Sequence, residues 1–200
     1  MSHCARDGAE ANVTDPTAKG ADDAALSVAE RLARLDSAIA EGRLLRREWS
    51  DAPDERGRER ACLLGMLSPE AARDEDAGRC PAAIVPTWLA ELTPWIDDSG
   101  SAAAWPVLVQ RYAALARRWR HLSREQWGLL AHRVRELCVH ELALHMPDPR
   151  SWAATSTSVG IAFAATHKSP HPELTGDRLA WAILDAIEAA CREAESPQPS

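Results

Sequence analysis

His140 and His145 bracket the segment HELALH, one residue longer than the HExxH spacing of helical zinc sites. The extra residue removes that chemistry. At about 100° per residue, a four-residue step brings two imidazoles within about 40° of each other, whereas five residues set them about 140° apart. Two such side chains cannot hold one ion from a regular helix. His132, Glu136 and His140 fit a metal better, because steps of four residues put all three on one stripe. A fourth ligand would have to come from elsewhere, and the sequence identifies none. Arg133 shares that side of the helix, its most polar sector, so the plainer reading is a solvated face with local His–Glu pairs.

Glu141 falls among Leu130, Val134, Leu137 and Leu144 on the helical projection, where an apolar residue belongs. A carboxyl buried there titrates high unless a cation answers it, and His145 one turn on is the natural partner. That pair is the nearest approach to acid–base machinery in the chain. The sequence favours the alternative, a last helical turn that leaves the core with both side chains in water. Asp97 and Asp98 form a further carboxylate pair, read as capping groups beside the Ser-Gly turn. No Gly-rich phosphate loop, GxSxG elbow or Cys–His nucleophile motif is present, so neither a cofactor nor a catalytic residue is assigned.

Binding chemistry offers two more candidates. Arg117, Arg118, Arg120 and Arg124 surround Trp119 in ARRWRHLSR, a pattern that invites nucleic acid. Trp119 lies on the apolar stripe of its helix, however, and an inward indole cannot stack on a base. The acidic segment 70–98 is expected to neutralise this positive region within the fold. The chain carries eight Trp against a single Tyr (Tyr112) and a single Phe (Phe163). Trp119 and Trp127 project inward, Trp105 precedes Pro106 at a helix start, and Trp181 sits beside the last apolar stripe. Trp88, Trp95 and Trp152 flank proline corners. The distribution suits wedges that fill gaps between Ala-rich helices. Trp88 and Trp95 are the exceptions that a corner region can present in a groove.

The elements that must position these residues read as helices. Leu26, Ala29, Leu32, Leu35 and Ile39 recur at helical steps, and Gly42 stands where a C-terminal cap belongs. ERGRERACLLGML reads as a second helix stopped at Ser68–Pro69, a pair that also starts a further short turn. Pro81, Pro86 and Pro94 each fit a first turn better than a helix interior. Leu108, Tyr112, Leu115, Trp119 and Leu122 form a strong stripe over 105–122. SREQ at 123–126 is a capping box that opens a helix running to about His145, so the two are expected to form a hairpin. The stretch 150–175 has weak helical patterning, and the last helix is read from about Asp177 to Ala194. No segment alternates with period two.

The fold class is therefore all-α: a single irregular bundle of about six to eight helices around a central helical hairpin. It spans 22–195, with disordered tails at 1–21 and 196–200 and a weakly ordered stretch at 150–175. The net charge is −7, which argues against nucleic acid or an anionic membrane. Lys19 and Lys168 are the only lysines, and a GC-rich genome explains such an Arg bias. Five scattered cysteines, no signal-peptide pattern and no apolar run long enough for a membrane span point to a cytoplasmic protein with free thiols.

CPAAIVPTWLAELTPWIDD and the WP…RYAALARRW that follows, with RLAWAILDAIEAA, resemble an all-helical family from GC-rich bacterial and phage genomes over roughly residues 30–192. No activity is assigned to that family, so the resemblance implies an architecture and no catalytic residue. The residues point to a non-enzymatic protein that works through a protein partner or self-association. Its first docking surface is the region of Trp88 and Trp95, and its second is the Arg117, Arg120 and Arg124 face. The alternatives are a small-molecule enzyme using Glu141 and His145, and a nucleic-acid-associated factor using the arginines.

Overall fold

The computed structural model describes residues 26–148, 150 and 155–196. The tails expected at 1–21 and beyond Ser196, and Trp152, lie outside the described residues. Ser27 starts helix α1 (Val28–Ala40) with a reciprocal capping box: its Oγ accepts the Glu30 amide while the Glu30 carboxylate accepts the Ser27 amide. The buried face is not quite the one the apolar spacing predicts. Arg31 is buried and Ala29 exposed, because the Arg31 guanidinium forms a bidentate pair with Glu70 and donates to the Leu26 and Leu67 carbonyls. Gly42 follows α1 with a left-handed φ of 64°, as a helix terminator should.

ERGRERACLLGML does not form one helix. Its first half belongs to a small hairpin in which β1 (Ser50–Asp51) pairs antiparallel with β2 (Arg60–Ala61). The Asp54 carboxylate accepts the amides of Arg56 and Arg58 at 2.9 Å, and Gly57 takes φ 72°, which closes the loop and leaves no room for a helix. Only Leu63–Leu67 are helical (α2), and Ser68 then caps α3 (Pro69–Asp74), with Pro69 in its first turn.

Helix α4 (Thr87–Asp98) starts after Pro86. Pro94 lies inside it, contrary to the expectation that every proline here opens a helix. Its ring leaves the Ala90 carbonyl without the usual helical donor. The turn before it is tied down by Thr93, whose Oγ1 donates to the Leu89 carbonyl and shares a 2.7 Å hydrogen bond with the buried Tyr112 hydroxyl. Helix α5 (Trp105–Arg118) passes through a short 3₁₀ turn at Trp119–His121 into α6 (Arg124–His145), capped by the Ser123–Gln126 box. The corner is held by edge-to-face rings, Tyr112 on Trp119 at 5.1 Å and Trp119 on Trp127 at 6.2 Å.

Residues 158–168 of the stretch read as weakly ordered form helix α7 (Ser158–Lys168), capped by Thr157. Helix α8 (Pro172–Glu195) begins at Pro172 rather than near Asp177. It packs against α5, α6 and α7, while α7 also packs against α4 and α6. One contiguous apolar cluster draws on all eight α-helices, so the architecture is an all-α bundle whose only described sheet is the two-stranded hairpin.

Candidate functional site

Four residues of α4 (Glu91, Pro94, Trp95 and Asp98) share one face because they sit three, four and seven positions apart. Opposite them, α7 presents Val159, Phe163 and His167 at four-residue steps. Between these walls, with Pro172 of α8 completing the lining, lies a groove of about 580 Å³. That volume is in the range of ligand and side-chain pockets. Its surface is predominantly apolar, and neither Lys nor Arg lines it among the described residues. Phe163 is 62% exposed and stacks nearly parallel on His167, with centroids 5.8 Å apart. Trp95 and Ser99 line the groove, but Trp95 Nε1–H and Ser99 Oγ themselves are shielded from water and have no hydrogen-bond partner among the described residues. An unmet buried group of this kind costs about 1–3 kcal/mol.

Trp95 therefore lies where its sequence context suggested, in a groove, although its own side chain is mostly buried. Trp88 does not join it. It is half-buried, with its ring 6.0 Å from Trp127, and extends the aromatic stack into the α5–α6 corner. The seven described tryptophans are all buried or half-buried.

Beneath the groove, the end of α4 is a junction. Asp97, expected as a turn cap, is 1% exposed. Its carboxylate accepts the Trp105 indole N–H at 2.6 Å and the Leu63 amide at 3.1 Å, joining the starts of α5 and α2 to the end of α4. Burial pushes its pKa up to about 7, against the pull of those two hydrogen bonds. Arg46 spreads its guanidinium over the Asp97, Asp98 and Gly100 carbonyls, and Asp98 accepts the Arg47 amide at 2.6 Å. The Ser101 amide donates to Asp177 on α8 at 2.8 Å. Gly176 faces the Ser99 carbonyl so closely that a Cβ there would overlap it.

The Glu141–His145 pair is formed, with His145 Nε2 3.2 Å from Glu141 Oε1. The expectation that both reach water fails for Glu141, which is 6% exposed, and His145 is half-buried. The sequence missed the cation. Arg178 on α8 donates through both Nε and Nη2 to the Glu141 carboxylate. Burial pushes Glu141 up, but Arg178 and to a lesser degree His145 outweigh it and hold the carboxyl below its ordinary value. Glu141 is thus a poor proton acceptor.

His132 and Glu136 pair at 3.2 Å on a face where both are exposed, and His140 is exposed on the same helix. No group of three His, Cys, Asp or Glu positioned to hold a metal occurs among the described residues. Trp119 points inward and donates its indole N–H to the Ile84 carbonyl at 3.1 Å. The arginines around it are answered by other elements than segment 70–98. Arg117 pairs with Asp36 of α1, and Arg118 pairs with Glu188 and Glu195 of α8. Arg111 of the same helix bridges Asp185 and Glu188 and lies over the Trp181 ring. Arg120 and Arg124 are exposed, and Arg120 Nε donates to the His121 ring at 3.2 Å. The α7 wall of the groove escaped sequence reasoning altogether. Its one signal was Phe163, the chain's single phenylalanine, in a segment too poor in helix formers to assign a face.

No helix among the described residues is long and apolar enough to cross a membrane. Comparison of the chain with protein-family models, with curated proteins and with solved structures finds no match to any of them.

Proposed function

We propose that this protein acts by binding rather than by catalysis, and that a protein partner docks in the groove between α4 and α7. The observation that carries this reading is a large, mostly apolar cleft with Phe163 left open to water at its wall and the Trp95 indole in its floor. Exposed aromatic surface beside a preformed concavity is the usual anatomy of a binding hot spot. The competing acid–base reading loses support because Arg178 holds Glu141 ionised and weakly basic. The nucleic-acid reading loses support because Arg117 and Arg118 are occupied by carboxylates of this same chain. Four buried free thiols, Cys62, Cys80, Cys138 and Cys191, fit a reducing compartment such as the cytoplasm.

The test compares wild-type chain with Phe163→Ser, a substitution at an exposed position that should leave thermal stability within about 0.5 kcal/mol. A partner identified from the host with the wild-type chain is expected to bind the purified variant at least about tenfold more weakly. Equal affinities would remove the groove from the interface. If sedimentation shows wild-type dimers and monomeric Phe163→Ser, the occupant is a second copy of the chain.

A further inference from the structure

We infer that the groove takes an amphipathic helix whose apolar stripe is flanked by basic residues seven positions apart. This rests on the docking reading above. Glu91 and Asp98 stand two turns apart on α4, roughly 10 Å along the axis, with Pro94 and Trp95 between them. Glu91 and Asp98 both line the groove, and the facing wall contributes Val159 and Phe163. A guest helix lying along this cleft presents apolar residues to Trp95 and Phe163 and one cation to each end of α4's acidic row.

The two ends are unequal. Asp98 already accepts the Arg47 amide and has Arg46 beside it, whereas Glu91 is exposed and has no hydrogen-bond or ion-pair partner among the described residues. Glu91 is therefore the stronger anchor. Among the described residues the only ionisable group on the opposite wall is His167, which stacks on Phe163, and Lys168 at the end of α7 does not line the cleft. An anionic lipid surface meets the wrong charge here.

Three helical peptides of about 18 residues with one apolar stripe, differing only in Lys, Gln or Glu at the two flanking positions, test this on the full chain at about 0.15 M salt. Affinity is read by calorimetry, and location by the indole N–H resonance of Trp95, assigned through Trp95→Phe. The Lys peptide is expected to bind about tenfold more tightly than the Gln peptide and to shift the Trp95 resonance, with the Glu peptide weakest. Glu91→Gln should cut the Lys advantage about fivefold, and Phe163→Ser should weaken all three peptides. Equal binding of Lys and Gln peptides overturns the charge inference and leaves groove docking standing. No binding by any peptide, with Trp95 unmoved, removes both. Lys-peptide binding that ignores Phe163→Ser reports a diffuse attraction to an acidic protein and also overturns the inference.

Discussion

The α4 junction and the α6–α8 contact each bury one carboxylate, and the two titrate in opposite directions. The Asp97 carboxylate accepts from two neutral donors, the Trp105 indole and the Leu63 amide, and burial raises its pKa to about 7 despite the nearby Arg46. Glu141 lies less deep beneath the surface, and Arg178 answers it with a full positive charge and lowers it. Glu70 carries the second case further. The buried Arg31 guanidinium takes both of its oxygens and brings it down to about 2. Burial alone does not set the direction. The formal charge of the nearest donor counts beside the depth of the carboxylate, because a neutral N–H offsets less of an anion's desolvation than a guanidinium does.

The pH profile of stability is the strongest way to break this contrast. Asp97 binds its proton more tightly in the folded chain than in the unfolded one, whose ordinary value is 3.8. Its effect is therefore absent below about pH 4, grows as pH rises, and is complete above about pH 7. Each pH unit in that window should remove on the order of 1.4 kcal/mol, or roughly 4 in all as an upper bound. Denaturant titrations should show this fall in the wild type and a flatter profile in Asp97→Asn. A wild-type profile with no fall between pH 4 and 7 would mean that Asp97 stays hydrated.

Glu70→Ala tests the opposite limit. It takes the carboxylate away from Arg31, only 2% exposed, which keeps its bonds to the Leu26 and Leu67 carbonyls, and should cost about 3 kcal/mol at neutral pH by chemical denaturation. Gly176→Ala attacks the close approach of α8 to the backbone that follows α4. Overlap with the Ser99 carbonyl should cost about 2 kcal/mol and, by opening the junction to water, shift the wild-type fall in stability toward lower pH. Glu141→Gln should do least, about 1 kcal/mol, since Arg178 is 58% exposed and regains water when the pair is lost. Glu141 has the reverse sign from Asp97. Its contribution is present above its ordinary value of 4.5 and disappears as pH falls through the lower folded value, so Glu141→Gln should lose part of the wild type's acid sensitivity.

Helical periodicity made some of these elements legible and hid others. The stripe from Leu108 to Leu122, the Ser123 box and the end of α6 at His145 follow from spacing and capping chemistry, which act within a turn or two of chain. The α2 boundary did not, because a side chain of the hairpin loop, Asp54, competes for the backbone there. Pro94 was misplaced because its tolerance inside α4 depends on packing around Thr93 and Tyr112, contributed by two helices. Of the site, Trp95 was legible as an oddity of composition. Val159, Phe163 and His167 were not, because a segment rich in Thr, Ser and Gly becomes a helix here against α4, α6 and α8.

The sequence by itself determined an all-α chain and the inward turn of Trp119, both properties of residues within a few positions of one another. Only the tertiary structure decided that Arg178 would answer Glu141, that Asp97 would be sealed among the ends of three helices, and that α4 and α7 would leave a groove between them. Each of these joins residues dozens of positions apart, and local spacing is silent about which distant charge or apolar face folding will bring alongside.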